Sequence, residues 1–219
     1  MAGGRRGGPP ARGAGPGGQR GGRLGGAAAG AAGRGPGPAR VRAVIVEAVS
    51  EVPAEVVDVY RAAFAESPYY EGEEEVARFA EEALPRHAGR RGFHCVVARD
   101  AGVVVGFAYG YVGAPGQWWH DWVAGLLGPA LAEEWMTDAF ELAELAVRPT
   151  AQRRGAGGRL HDAVLADRPH RTAILSTRDE DTPARRLYRR RGWLPLREGW
   201  RPTPGVPPLV FMGLRLPAG

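Results

Sequence analysis

At 219 residues, 44% of them hydrophobic, the chain is long enough for one domain with a sizeable core. Its net charge of +5 does not describe the part expected to fold: Arg5, Arg6, Arg12, Arg20, Arg23, Arg34 and Arg40 fall in the first forty residues without a single acid, so the remainder carries 22 basic against 24 acidic side chains. That balance argues against a domain surface built for nucleic acid, the lack of an apolar run of about 18 residues argues against a membrane span, and the one cysteine, Cys95, excludes an internal disulfide.

The lone cysteine fits a reducing, cytoplasmic setting. The N-terminal arginines are not followed by the continuous apolar stretch of a secretory signal, so none is expected. Residues 1–39 contain 16 glycines and almost no large apolar side chain. Such a segment cannot bury enough surface to offset its conformational entropy, and it is expected to be a disordered tail ahead of a domain at 40–219. Its arginines resemble Gly/Arg-rich RNA-binding segments, but it has no aromatic residue to stack on a base.

Arg40–Glu47 is an alternating β-branched run and predicts the first strand. Pro53 suits a helix start, and Val56, Val57, Tyr60 and Phe64 recur at helical spacing within Ala54–Ala65. Ser67-Pro68 ends that helix. A second is expected from about Glu73 to His87, with Val76, Phe79, Ala80 and Leu84 on one face. Phe93–Arg99 and Val103–Val112 read as strands joined by a hairpin turn at Asp100-Ala101-Gly102. Gly113–Asp138 holds Trp118, Trp119, Trp122 and Trp135; it is too apolar to be a loose loop and has helical character over Val123–Trp135. Then come a strand (Phe140–Val147), a glycine-rich turn, a helix (Gly157–Ala166), a strand (Thr172–Thr177), a helix (Thr182–Arg191) and two closing strands (Trp193–Leu196 and Pro208–Leu216). This order, β-α-α-β-β-insert-β-α-β-α-β-β, predicts an α/β sandwich on a mixed sheet.

The informative segment is Gln152-Arg153-Arg154-Gly155-Ala156-Gly157, set between a strand and a helix. Glycines let the backbone turn tightly so that its N–H groups converge on an anion, and the helix adds the positive end of its dipole. A pyrophosphate suits it. A Walker A loop is excluded because the chain has no lysine, and the glycine spacing fails the Rossmann fingerprint.

This segment resembles the [QR]-x-x-G-x-[GA] motif of the GNAT acetyltransferases, preceded by their typical V-R-P at Val147–Pro149. Downstream, Ala184-Arg185-Arg186-Leu187-Tyr188 and Gly192-Trp193 resemble that family's A-x-x-L-Y and G-[FW] signature. The resemblance covers 41–216 in element order. It implies a mostly antiparallel mixed sheet flanked by helices, with a V-shaped splay between strands 4 and 5, and acetyl-CoA as co-substrate. The pantetheine arm would pair with backbone at Leu145, Ala146 and Val147, while the loop from Gln152 through Arg153, Arg154, Gly155, Ala156 and Gly157 to Gly158 would hold the pyrophosphate. Tyr188 is the implied acid for the departing thiolate, and a strand N–H, of Leu145 or Ala146, the oxyanion donor.

The implied activity is acetyl transfer to a primary amine of a small molecule or peptide by direct attack in a ternary complex. Glu141 or Glu144 is the candidate base. In a regular strand they point to opposite faces, and a bulge would change that parity. Trp118, Trp119 and Trp122, with Asp121 and Glu133, could wall an amine pocket, and Tyr69, Tyr70 and Glu71–Glu75 could close its other side. Cys95 lies in an expected interior strand, so no acyl-cysteine is expected. No Cys/His pattern supports a metal. The alternative is a non-catalytic acyl-CoA-binding regulatory module, which would need neither Tyr188 nor a base. The chain is expected to act as a monomer or homodimer.

Overall fold

A computed structural model describes residues 44–201 and 205–217; the expected tail at 1–39 lies outside them. Strands are β1 (Ile45–Val49), β2 (His94–Asp100), β3 (Val103–Val112), β4 (Ala139–Val147), β5 (Thr172–Arg178), β6 (Leu194–Trp200) and β7 (Leu209–Arg215). They form one sheet in the order β1-β2-β3-β4-β5-β7-β6. The β4–β5 pair is parallel and the other pairs are antiparallel. The β2–β3 hairpin turns on Ala101 and Gly102, both at positive φ, the geometry of a tight two-residue turn.

On one sheet face lie α1 (Glu55–Phe64) and a helical run composed of α2 (Glu73–Arg78), a π turn (Phe79–Ala83) and α3 (Leu84–Ala88). The run follows from the sequence around Pro85. Proline cannot donate to the carbonyl four residues back, and just before it the ladder widens, with Leu84 N–H donating to Phe79 O. Val56, Val59, Tyr60, Val76 and Phe79 pack there on Val97, Phe107 and Tyr109. The tryptophan-rich insert forms α4 (Trp118–Leu127) and α5 (Pro129–Met136), split at Gly128-Pro129. It packs on Ile174 and Phe211. The opposite face is covered by α6 (Ala156–Leu165), through Leu160 and Val164, and by α7 (Pro183–Arg190), through Tyr188.

The feature that positions the site is the short pairing of β4 with β5. They run together only at Ala139↔Thr172, Phe140↔Ala173 and Glu141↔Ile174. Past Glu141 they diverge, and the rest of β4 faces a cleft instead of a strand.

Candidate active site

The cleft at the splay encloses about 720 Å³. Leu142–Leu145 form one wall and Leu175–Arg178 the other. Tyr188 and Ala184 come from α7, and Phe64, Tyr69, Arg86, His87, Arg90, Tyr111, Trp118 and Trp119 from the opposite face. The opening therefore runs through the sheet and joins both faces.

Glu141 and Glu144 share that space because of a bulge. Glu144 stands opposite Tyr109, but Leu142 stands opposite Gly110, so Ala143 is an extra residue on β4. The parity of the strand is reset there. Glu141 (opposite Tyr111) and Glu144 then project to the same side, as Tyr109 and Tyr111 do two residues apart on β3. Gly110 is required at this point: a Cβ on it would overlap the Glu141 carbonyl oxygen and the Phe140 ring.

Both carboxylates hold protons more tightly than usual. Burial raises Glu141 to about 7, with the nearby Arg90 guanidinium and Tyr111 hydroxyl pulling the other way. Burial, followed by the charge of Glu71, raises Glu144 to about 8. Glu141 Oε1 lies 3.2 Å from His120 Nδ1. Its Oε2 is buried with no hydrogen-bond partner among the described residues, and Arg90 Nη1 stands 3.9 Å away. Burial pushes the Tyr188 phenol up, and the charges of Tyr69 and Glu144 push it further. Tyr188 therefore stays protonated at neutral pH and lies within electrostatic reach of Glu144.

The loop after β4 lies outside the cavity lining. Gly155 caps α6 at φ 83°, a conformation that favours glycine, and Arg153 is also left-handed, at φ 58°. Gln152 donates through its side-chain amide to Val147 O at 2.9 Å, tying the loop to the end of β4. Arg154 pairs with Asp100 at 3.0 Å, and the Gly158 Cβ position is filled by the Arg191 guanidinium.

Over residues 56–193 the sequence matches the Acetyltransferase (GNAT) family. The chain belongs to that family. It is 41% identical over 124 residues to a GCN5-like protein acetyltransferase of Mycobacterium tuberculosis, covering 52% of this chain and 59% of that protein, so the match spans less than two thirds of the relative. Two solved structures share the GNAT fold. One is a GNAT-family protein from Desulfovibrio desulfuricans (TM-score 0.57, 19% identity, covering 80% of this chain and 100% of that one). The other is YncA from Salmonella typhimurium with its cofactor acetyl-CoA (TM-score 0.51, 15% identity, covering 80% and 95%).

Within this GNAT fold the expected residues divide. Glu141, Glu144, Leu145, Tyr188, Trp118 and Trp119 line one cavity. Trp122 does not. Its ring stacks on Trp118 and packs edge-on against Trp200 and Phe211, plugging an apolar surface. Asp121 is not among the lining residues; it accepts from the N–H of Gly116, which is, and so fixes the turn before α4 at the cavity edge. Of the three expected backbone partners, Ala146 pairs with Phe107 on β3. Arg148 N–H donates to Val105 O on β3, and antiparallel alternation then turns Ala146 to β3 and leaves Leu145 and Val147 on the open edge. The Val147 carbonyl is already taken by Gln152. Sequence reasoning missed Arg90, Arg86, His87, Tyr111 and His120; the register of β3 with β4 and the docking of α3 bring the first four to the cleft, and the packing of α4 brings His120 to Glu141. Among the described residues no group of His, Cys, Asp and Glu could hold a metal ion, and no helix is long and apolar enough to cross a membrane.

Proposed function

We propose that this GNAT protein transfers the acetyl group of acetyl-CoA to a primary amine of a small molecule or peptide by direct attack in a ternary complex. The observation that carries this is the cleft, which gathers Glu144, Glu141 and Tyr188 beside an open strand edge. The pyrophosphate belongs at the loop amides of Arg153–Gly158 and the α6 N-terminus. The pantetheine arm belongs along Leu145 and Val147, as an added strand would.

Attack requires an unprotonated amine. Glu144, with a pKa near the working pH, takes the proton as the amine nitrogen bonds to the acetyl carbon. The Leu145 N–H, on the open edge, stabilises the tetrahedral oxyanion. When the C–S bond breaks, Tyr188 gives its proton to the thiolate and recovers one from solvent. Glu141, held beside His120 and Arg90, positions the acceptor. Residues 1–39 take no part in the transfer, and the reaction belongs to the cytoplasm.

The test is acetyl-CoA-dependent thiol release over a panel of amines and peptides, with coenzyme A binding measured by calorimetry on wild type and Tyr188→Phe. Amine-dependent release that drops about 100-fold in the variant, with binding retained, supports the assignment. Tight binding without release on any acceptor would replace the enzyme by a binding module.

A further inference from the structure

The acceptor half of the cleft holds positive charge that the transfer step does not use. Arg86, in the last turn of α3, and Arg90, just beyond it, both line the cavity, with His87 between them. Arg86 is exposed and has no salt-bridge partner among the described residues. Arg90 is largely buried. Its guanidinium lies 4.4 Å over the Tyr111 ring, and its Nη1 donates to Gln117 Oε1 at 3.2 Å. A guanidinium carries five N–H donors in a planar fork, so Arg90 keeps donors for a further partner. Next to it, at 3.9 Å, is the buried Glu141 Oε2 that lacks a donor. A cation with spare donors and an orphaned carboxylate oxygen stand side by side, and both face the cavity.

We propose that the acceptor is an amine that also carries a carboxylate, with Arg86 and Arg90 holding the carboxylate while the amine faces Glu141 and Glu144. This rests on the N-acetyl transfer reading above. The placement agrees. Arg90 stands 3.9 Å from Glu141, and the two glutamates pair with residues two apart on β3, about 7 Å along the strand, so an acceptor whose acid meets Arg90 can present its amine to Glu144. The charge count also agrees. His87 is neutral, because burial and then the charges of Arg90 and Arg86 hold it down to about 4. Arg86, Arg90 and Arg178 line the cavity against Glu141 and Glu144, so one cation is left over with both carboxylates ionised. One carboxylate matches it, a doubly charged phosphate exceeds it, and the second ammonium of a diamine is repelled.

The experiment uses acceptor pairs that differ only in the acid: lysine against 1,5-diaminopentane, phenylalanine against 2-phenylethylamine, and the peptide amides N-acetyl-Ala-Lys-Asp against N-acetyl-Ala-Lys-Ala. Turnover is read as kcat/KM, and binding of the same pairs by saturation-transfer NMR, on wild type and Arg86→Gln. The acid-bearing member of the amino-acid or the peptide series is expected to be favoured about tenfold or more. Arg86→Gln should erase the gap by raising KM for that member alone. Preference within the peptide series assigns the acid to a neighbouring side chain, and preference within the free amino acids to the acceptor's own carboxyl. Equal use of both members, or a gap that survives Arg86→Gln, overturns the proposal. If nothing is acetylated but the acid-bearing members still bind in an Arg86-dependent way, the transfer reading fails and the acid site stands.

Discussion

Two glutamates three residues apart in sequence differ in what surrounds them, and the difference underlies the separate roles proposed for them. Glu144 lies within the electrostatic reach of Tyr188, Tyr69, Tyr60 and Tyr109, whereas Glu141 acts on Tyr111 and is held by His120. A base works only when deprotonated, so a rate controlled by Glu144 rises with pH through about 8. The expected kcat/KM profile climbs between pH 7 and 9. Glu144→Gln should remove the climb and lower the rate about 100-fold, while Glu141→Gln should keep the climb and mainly raise the acceptor KM. A wild-type profile already flat at pH 7 would remove Glu144 as the base. The sequence made Tyr188 and both glutamates legible because they sit in or beside short motifs. Arg90 and His120 were not legible, because their meaning lies in a contact made across 21 residues or more of chain.

At the scale of elements, periodicity located nearly every strand and helix, since burial on one face leaves a period in the sequence. Val103–Val112 emerges with the expected ends, whereas the first strand begins later than expected, at Ile45. The insert divides at Gly128 because Pro129 starts a new helix rather than continuing the old one. The bulge at Ala143 left no such mark: one extra residue does not disturb the alternation enough to be read, yet it decides that both glutamates face the cleft. Its dependence on Gly110 is testable. Gly110→Ala would press a methyl group into the β4 backbone and the Phe140 ring, where backbone cannot yield as a flexible side chain does. A loss of about 2 kcal/mol or more in chemical denaturation is expected, together with reduced turnover in whatever fraction still folds. Unchanged stability and activity would mean that β3 and β4 approach less closely than the register requires.

For the molecule as a whole, the two cleft carboxylates are a burden on stability. Glu141 and Glu144 have folded pKa values near 7 and 8 against an ordinary value of 4.5, so the native state binds their protons more tightly than the unfolded chain does. As pH rises past about 4.5 the unfolded chain ionises first, and stability falls until both groups have ionised in the folded state as well, beyond pH 8. Such cost is expected where a site must keep charge away from water. Glu144→Gln removes one charge while nearly preserving shape. Glu144 keeps some contact with solvent in the cleft, so the expected gain is a fraction of its full shift, about 1–2 kcal/mol at pH 8.5, or a few degrees in thermal midpoint. At pH 4, below the ordinary carboxylate pKa, Glu144 is mostly protonated in both the folded and the unfolded protein, and the two proteins should melt within about a degree of each other. A pH-dependent gap with an inactive, more stable variant ties the base to the instability. A variant less stable at both pH values would show instead that the Glu144 carboxylate is held by contacts worth more than its desolvation, and the base would have to be sought at Glu141.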